Sequence, residues 1–151
     1  MKFSMLRVSA VAALSFAAMS ANAGNELLVA AASKGGPAAF SADAMLDGSA
    51  VGLQFRIKIN GGSDKVRVVL DNCLKAVPKT HQGGCGISAD KSVVTGLVYS
   101  LTNAKLPAGL FPLGTVHVSS SQKVSFEVVE FLVAGDAGSQ LQATVQDAAL
   151  K

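Results

Sequence analysis

The sequence predicts an all-β protein, an antiparallel sandwich of about seven to nine strands. Three observations carry that expectation. Apolar and polar residues alternate strictly over residues 51–59, and shorter alternating runs recur downstream. Clusters of Gly, Pro, Asn and Asp separate those runs. After residue 24 no window joins helical spacing of apolar residues to capping residues.

The chain opens with a different pattern. Lys2 and Arg7 precede a run of small and apolar residues over 8–19, which leads into Ala21-Asn22-Ala23. A positive start, a short apolar middle and an A-x-A end describe a secretory signal peptide covering residues 1–23, with Gly24 as the new N-terminus. The apolar run falls short of the roughly 20 residues that span a bilayer. No cysteine follows the cut, so a lipid anchor there is not expected, nor is membrane insertion. The expectation is an exported domain, periplasmic or extracellular, formed by residues 24–151.

Removing residues 1–23 changes the charge argument. Of 13 Lys and Arg, two leave with the leader, so 11 cations face 10 anions. A nearly neutral domain gives no support for nucleic-acid binding. The remaining 128 residues suit one domain with a core of its own.

Two front strands are expected near residues 26–31 and 39–44. The clearest strand follows, with Val51, Leu53, Phe55, Ile57 and Ile59 dry and Gln54, Arg56 and Lys58 wet. Asn60-Gly61-Gly62-Ser63-Asp64 reads as a turn, and Val66, Val68 and Leu70 resume the alternation around Arg67. The pair reads as a hairpin, which would put Arg56, Lys58 and Arg67 on one wet face. Residues 92–101 are more uniformly apolar, as in a central strand. Residues 113–119 give another strand, and Val124, Phe126 and Val128 a further one, continued past an irregularity by Phe131 and Val133. Leu141, Ala143 and Val145 make a short last strand.

Cys73 and Cys85 enclose LKAVPKTHQGG, a loop by composition. An even cysteine count in an exported chain points to one disulfide. Closing such a loop is worth about 3 kcal/mol in the chain-entropy model. The bridge is expected to tie this loop to the sandwich edge rather than staple the two sheets through the core. Three metal ligands at Cys73, His81 and Cys85 form the rival reading, but a zinc site normally takes a fourth ligand. No metal or other cofactor is expected.

Catalytic constellations are sparse. The two histidines, His81 and His117, read as surface residues, and no Gly-x-Ser-x-Gly elbow accompanies them. Asp43 and Asp47 read as solvated carboxylates. A small hydrolase or isomerase would have to use one histidine as base without an evident nucleophile, so no catalytic residue is expected. The 24–151 segment has one Tyr and no Trp, which disfavours a flat platform for crystalline polysaccharide. Charge is polarised, with six cations and two anions between Arg56 and Lys79, and four anions and no cation from Val124 to Asp147. The candidate binding residues are therefore Arg56, Lys58, Arg67, His81 and Gln82.

The order of segments resembles the cohesin-like modules of the carbohydrate-binding superfamily. AVGLQFRIKI (residues 50–59) is similar to the family's early V-x-F-x-F-x-L strand. VVTGLVYSL (93–101), LPAGLFPLGTVHV (106–118) and FEVVEFLVAGDAGSQL (126–141) are similar to its later strands. The resemblance spans about 100 residues in patterns common to sandwiches. It implies a nine-stranded jelly-roll acting as a non-catalytic binding module, often for a dockerin on a secreted enzyme. Two partner classes follow: an extracytoplasmic protein, or a soluble glycan bound through polar loops such as Thr80-His81-Gln82.

Overall fold

The computed structural model describes residues 24–32, 38–62 and 65–148; the expected signal peptide lies outside them. Among the described residues ten strands follow in order: β1 (Asn25–Ala32), β2 (Ala38–Leu46), β3 (Gly52–Gly61), β4 (Arg67–Cys73), β5 (Gln82–Ile87), β6 (Val93–Tyr99), β7 (Gly109–Ser119), β8 (Val124–Ala134), β9 (Gln140–Leu141) and β10 (Ala143–Ala148). They form two five-stranded sheets. Sheet A has the order β10-β1-β2-β7-β4, and sheet B the order β5-β6-β3-β8-β9.

The alternation in β3 explains its central place. Leu53, Phe55, Ile57 and Ile59 are buried between the sheets, while Arg56 and Lys58 are exposed on the other side. A strand with one dry face stacks that face against a second sheet. Phe40 of β2 meets Phe126 of β8 across the interior, edge to face, with ring centroids 5.0 Å apart. Phe55 lies directly opposite Gly96 of β6, and a Cβ on Gly96 would sit 2.2 Å from the Phe55 ring. Glycine is what lets that ring lie flat on the neighbouring strand.

Two irregularities have local causes. In β8 the register with β3 slips between Val128 and Glu130, leaving Val129 exposed without a cross-strand mate. That bulge is the irregularity visible in the sequence, and it returns Phe131 and Val133 to the interior. In β7, Pro112 cannot donate to a ladder, and the register with β2 slips beside it. Gly114 follows at φ 107°, its α-carbon packed so close to the Asn72 carbonyl that no side chain fits.

The proposed β3–β4 hairpin is corrected. Both edges of β3 are taken, by β6 and β8, and β4 pairs with β7 in the other sheet. Gly61 and Gly62, at φ 80° and 88°, begin the crossing between sheets. Arg67 therefore shares no face with Arg56 and Lys58. The last strand is also divided: β9 closes sheet B, and β10 runs parallel to β1 in sheet A.

The crossing places the disulfide at the sandwich edge, as expected, but between strands of the two sheets rather than between a loop and one of them. Cys73 ends β4 at the edge of sheet A, and Cys85 sits in β5 at the edge of sheet B, with Cα atoms 6.1 Å apart. The bridge joins the two sheets along one open side. Its second strand, β5, begins inside the stretch that reads as loop by composition, because Gly83, Gly84 and Gly86 leave no apolar alternation to mark it.

Two substitutions test this architecture. Cys73→Ser/Cys85→Ser should lower stability by about 3 kcal/mol and Tm by roughly 10 °C, with strand content kept. Hydrogen exchange should then quicken in β4 and β5 together; faster exchange confined to residues 74–84 would contradict an inter-sheet tie. Gly96→Ala should cost about 2–3 kcal/mol in urea unfolding, since the Phe55 ring has no room to retreat.

Candidate functional site

The outer face of sheet B gathers most of the exposed side chains of interest. Cross-strand neighbours share a face, so the register defines its rows. One row runs Gly84, Leu97, Gln54, Leu132 from β5 through β6 and β3 to β8. Beside it lie Gln82 and Tyr99, and on the other side Gly86, Thr95, Arg56 and Glu130. Val93, Lys58 and Glu127 form the next row. Leu97, Tyr99 and Leu132 are 42%, 39% and 38% exposed, with Gln54 standing between the two leucines.

Polar groups frame this apolar row in a defined way. The Tyr99 hydroxyl donates to Gln82 Oε1 at 2.7 Å, fixing the ring along the face. The Gln54 amide donates to Glu130, and the Asn60 amide to Glu127 Oε2 at 3.2 Å. Both carboxylates are thus engaged by neutral amides. Arg56 and Lys58 form no ion pair among the described residues, where Lys105 and Asp136 make the one salt bridge, at 3.5 Å.

The glycines of β5 divide into two kinds. A Cβ on Gly83 would meet Val77 Cγ2 at 2.8 Å, so packing requires glycine there. A Cβ on Gly84 or Gly86 would meet nothing within 4 Å, and both have ordinary φ. The fold does not require those two, yet they leave the outer side of an edge strand bare beside Leu97 and Thr95.

The sequence candidates separate accordingly. Arg56, Lys58 and Gln82 share the outer face of sheet B. Arg67 stands on the outer face of sheet A, opposite Ser119. His81 is buried, which corrects its reading as a surface histidine. Its Nε2 lies 3.1 Å from the Val51 carbonyl, and its Nδ1 lies 2.9 Å from the Thr80 hydroxyl. A carbonyl only accepts, so Nε2–H donates and Nδ1 accepts from Thr80. The ring pins the 74–84 segment to the start of β3 and offers nothing to a ligand. His117 is exposed on β7, between Ala39 and Val69. Leu97, Leu132 and Gln54 were missed, although the exceptions to alternation in β6 and β8 place apolar residues on both faces.

A tight turn ends the β5–β6 hairpin of this sheet. The Ser88 and Ser92 hydroxyls each donate to Asp90 Oδ1 at 2.6 Å, joined by the Ser92 N–H at 3.1 Å. These bonds hold the Asp90 carboxyl down to about 2. A lowered folded-state value means the turn is stabilised above the ordinary 3.8 and loses that support as pH falls through about 2. An NMR titration should place the Asp90 midpoint near 2, and Ser88→Ala/Ser92→Ala should raise it toward 3.8 but not fully, since the Ser92 N–H still donates.

The described residues hold no group of three or more His, Cys, Asp or Glu able to bind a metal. They define an all-β sandwich whose outstanding feature is a partly apolar sheet face. No family model matches the sequence, and no curated protein matches it. Solved structures do match in fold. The second type II cohesin module of the adaptor scaffoldin ScaA from Acetivibrio cellulolyticus superposes with a TM-score of 0.59 at 9% identity, over 80% of this chain and 86% of that one. A non-cellulosomal cohesin from Archaeoglobus fulgidus gives 0.57 at 9% identity, over 82% and 87%. The cohesin of the OlpC complex with Doc435 from Clostridium thermocellum gives 0.58 at 9% identity, over 83% and 90%. The protein has a cohesin-like β-sandwich fold.

Proposed function

We propose that the protein is a non-catalytic, exported, protein-binding module, and that the outer face of sheet B is its binding surface. The observation that carries this reading is the exposed row of Leu97 and Leu132 about Gln54, flanked by Tyr99 and by the bare backbone of Gly84 and Gly86. Exposed leucines on one sheet face, set among hydrogen-bonded polar residues, suit a protein interface. The similar C. thermocellum structure is a cohesin–dockerin complex, and an A. cellulolyticus one is a type II cohesin–X-dockerin complex; both support a protein as partner. Export is supported by the pattern of residues 1–23 and by the Cys73–Cys85 disulfide.

Calorimetry of residues 24–151 against a panel of dockerin modules and secreted proteins tests the reading, with a glycan array alongside. A protein in the panel should bind, and Leu97→Asp/Leu132→Asp should weaken it by about a hundredfold, as loss of a central apolar anchor does. Gly84→Val should also weaken binding while leaving Tm unchanged or raised, and Arg67→Glu should have no effect. Glycans bound in place of any protein, with binding lost on Tyr99→Ala, would transfer the function to carbohydrate recognition.

A further inference from the structure

Strand β5 is an edge of sheet B, with β6 as its one neighbour. The hydrogen bonds across that pair fix which of its backbone groups are free. The Ser88 N–H donates to the Val93 carbonyl at 2.9 Å, in the same register as the β5–β6 ladder. Antiparallel pairs alternate, so Gln82, Gly84 and Gly86 turn their N–H and C=O groups toward β6. Gly83, Cys85 and Ile87 turn theirs toward the open edge, where no strand among the described residues takes them.

Edge strands are ordinarily guarded by charge, proline, a bulge or short length. Among the described edges, β9 has two residues, β4 carries Arg67, Asp71 and an irregular register, and β10 carries Asp147. Strand β5 (QGGCGI) has no charge, no proline and an unbroken register over its six residues. The Cys73–Cys85 bridge fastens its inner side to sheet A, so the edge is held in place while remaining open.

The outer side of this edge has room for side chains that β5 does not supply. Gly84 and Gly86 could each carry a Cβ with nothing inside 4 Å, and they stand beside the exposed Leu97 and Thr95 of β6. A strand laid along the far side of β5 would run about 9–10 Å from β6, two strand spacings. Its residues opposite Gly84 and Gly86 would point to the outer face, where long side chains can cross the bare backbone to Leu97. A second copy of β5 does not suit this place. With three glycines in six residues it brings almost no side chain to the crossing, and buries far less than a stable contact needs.

We propose that β5 accepts an extended segment of a partner protein as a sixth, antiparallel strand of sheet B, with large apolar or aromatic residues at alternate positions over Gly84 and Gly86. The backbone groups of Gly83, Cys85 and Ile87 bond the segment, and Leu97 packs under its side chains. Main-chain bonds then give affinity, and the alternate side chains selectivity. This rests on the reading of sheet B as a protein-binding face and names the form its partner takes there.

Panning a displayed library of random twelve-residue peptides on residues 24–151 supplies the probe. Selected peptides should carry apolar or aromatic residues at every second position. N-methylation of the best peptide, one residue at a time, should weaken binding about tenfold at alternate positions and little at those between, because only one set of N–H groups faces β5. Ile87→Pro removes an outward N–H and leaves the β5–β6 ladder intact, so it should weaken the same peptide about tenfold, whereas Ile87→Val should bind as wild type. Circular dichroism checks that both variants fold, and the N-methyl series needs no variant of the protein and decides even if Ile87→Pro does not fold. A library without binders, N-methylation tolerated at every position, or a dimer of the protein that Ile87→Pro dissolves would each overturn the proposal. A protein from the dockerin panel that binds Ile87→Pro unchanged, and is lost with Leu97→Asp/Leu132→Asp, would also overturn it and leave the wider protein-binding reading standing.

Discussion

The covalent link between Cys73 and Cys85 is the constraint on which the candidate surface depends. Strand β5 has little side-chain surface of its own, since three of its six residues are glycine. Glycine raises the conformational entropy lost on ordering a strand and contributes no packing. An edge strand of that composition has one neighbour, β6, and would fray without another attachment. The disulfide supplies it by fastening β5 to the opposite sheet, and His81 adds a second by holding the preceding segment to the Val51 carbonyl. Together they keep a bare backbone in place next to Leu97 and Tyr99. The cost of glycine at 84 and 86 is thus borne outside the strand, which is how an open ledge persists at the border of an apolar row.

The parts of this fold legible in the sequence are those governed by local periodicity. Period-2 alternation marks β3, β7 and the first half of β8 because each has one dry face, and the bulge at Val129 announces itself as a break in that period. Long-range pairing left no such mark. Asn60-Gly61-Gly62-Ser63-Asp64 has the composition of a hairpin turn, yet the chain crosses there to the other sheet. What decides between the two outcomes is competition for the edges of β3, and β6 and β8 win because their apolar faces extend the same core. The parallel pairing of β1 with β10 joins strands more than a hundred residues apart, and no local pattern encodes it.

The candidate site was legible in a similar, partial way. Arg56, Lys58 and Gln82 stood out by charge and composition, and they do meet on one face. His81 did not belong with them, because polarity alone cannot distinguish a loop histidine in water from one satisfied by a carbonyl and a hydroxyl. The apolar centre was hidden by a different confusion. Leu97 and Leu132 sit in runs such as GLVYSL and EFLVAG, where apolar residues occupy both faces of the strand. Such a run reads as a strand buried on both sides. Among the described residues no layer covers the outer face of sheet B, and those side chains are exposed.

That exposed face gives the charges beside it their role. An exposed apolar row is a hazard for indiscriminate association, and charges beside it narrow the set of partners. On sheet B, Glu130 and Glu127 stand opposite Arg56 and Lys58, and Gln54 and Asn60 hold the two carboxylates, so the face presents both signs in ordered positions. On sheet A it is Glu26 and Asp43 that project. A partner for sheet B must therefore match an alternation of both signs beside the apolar row, and a partner of uniform charge meets repulsion at two of those four positions.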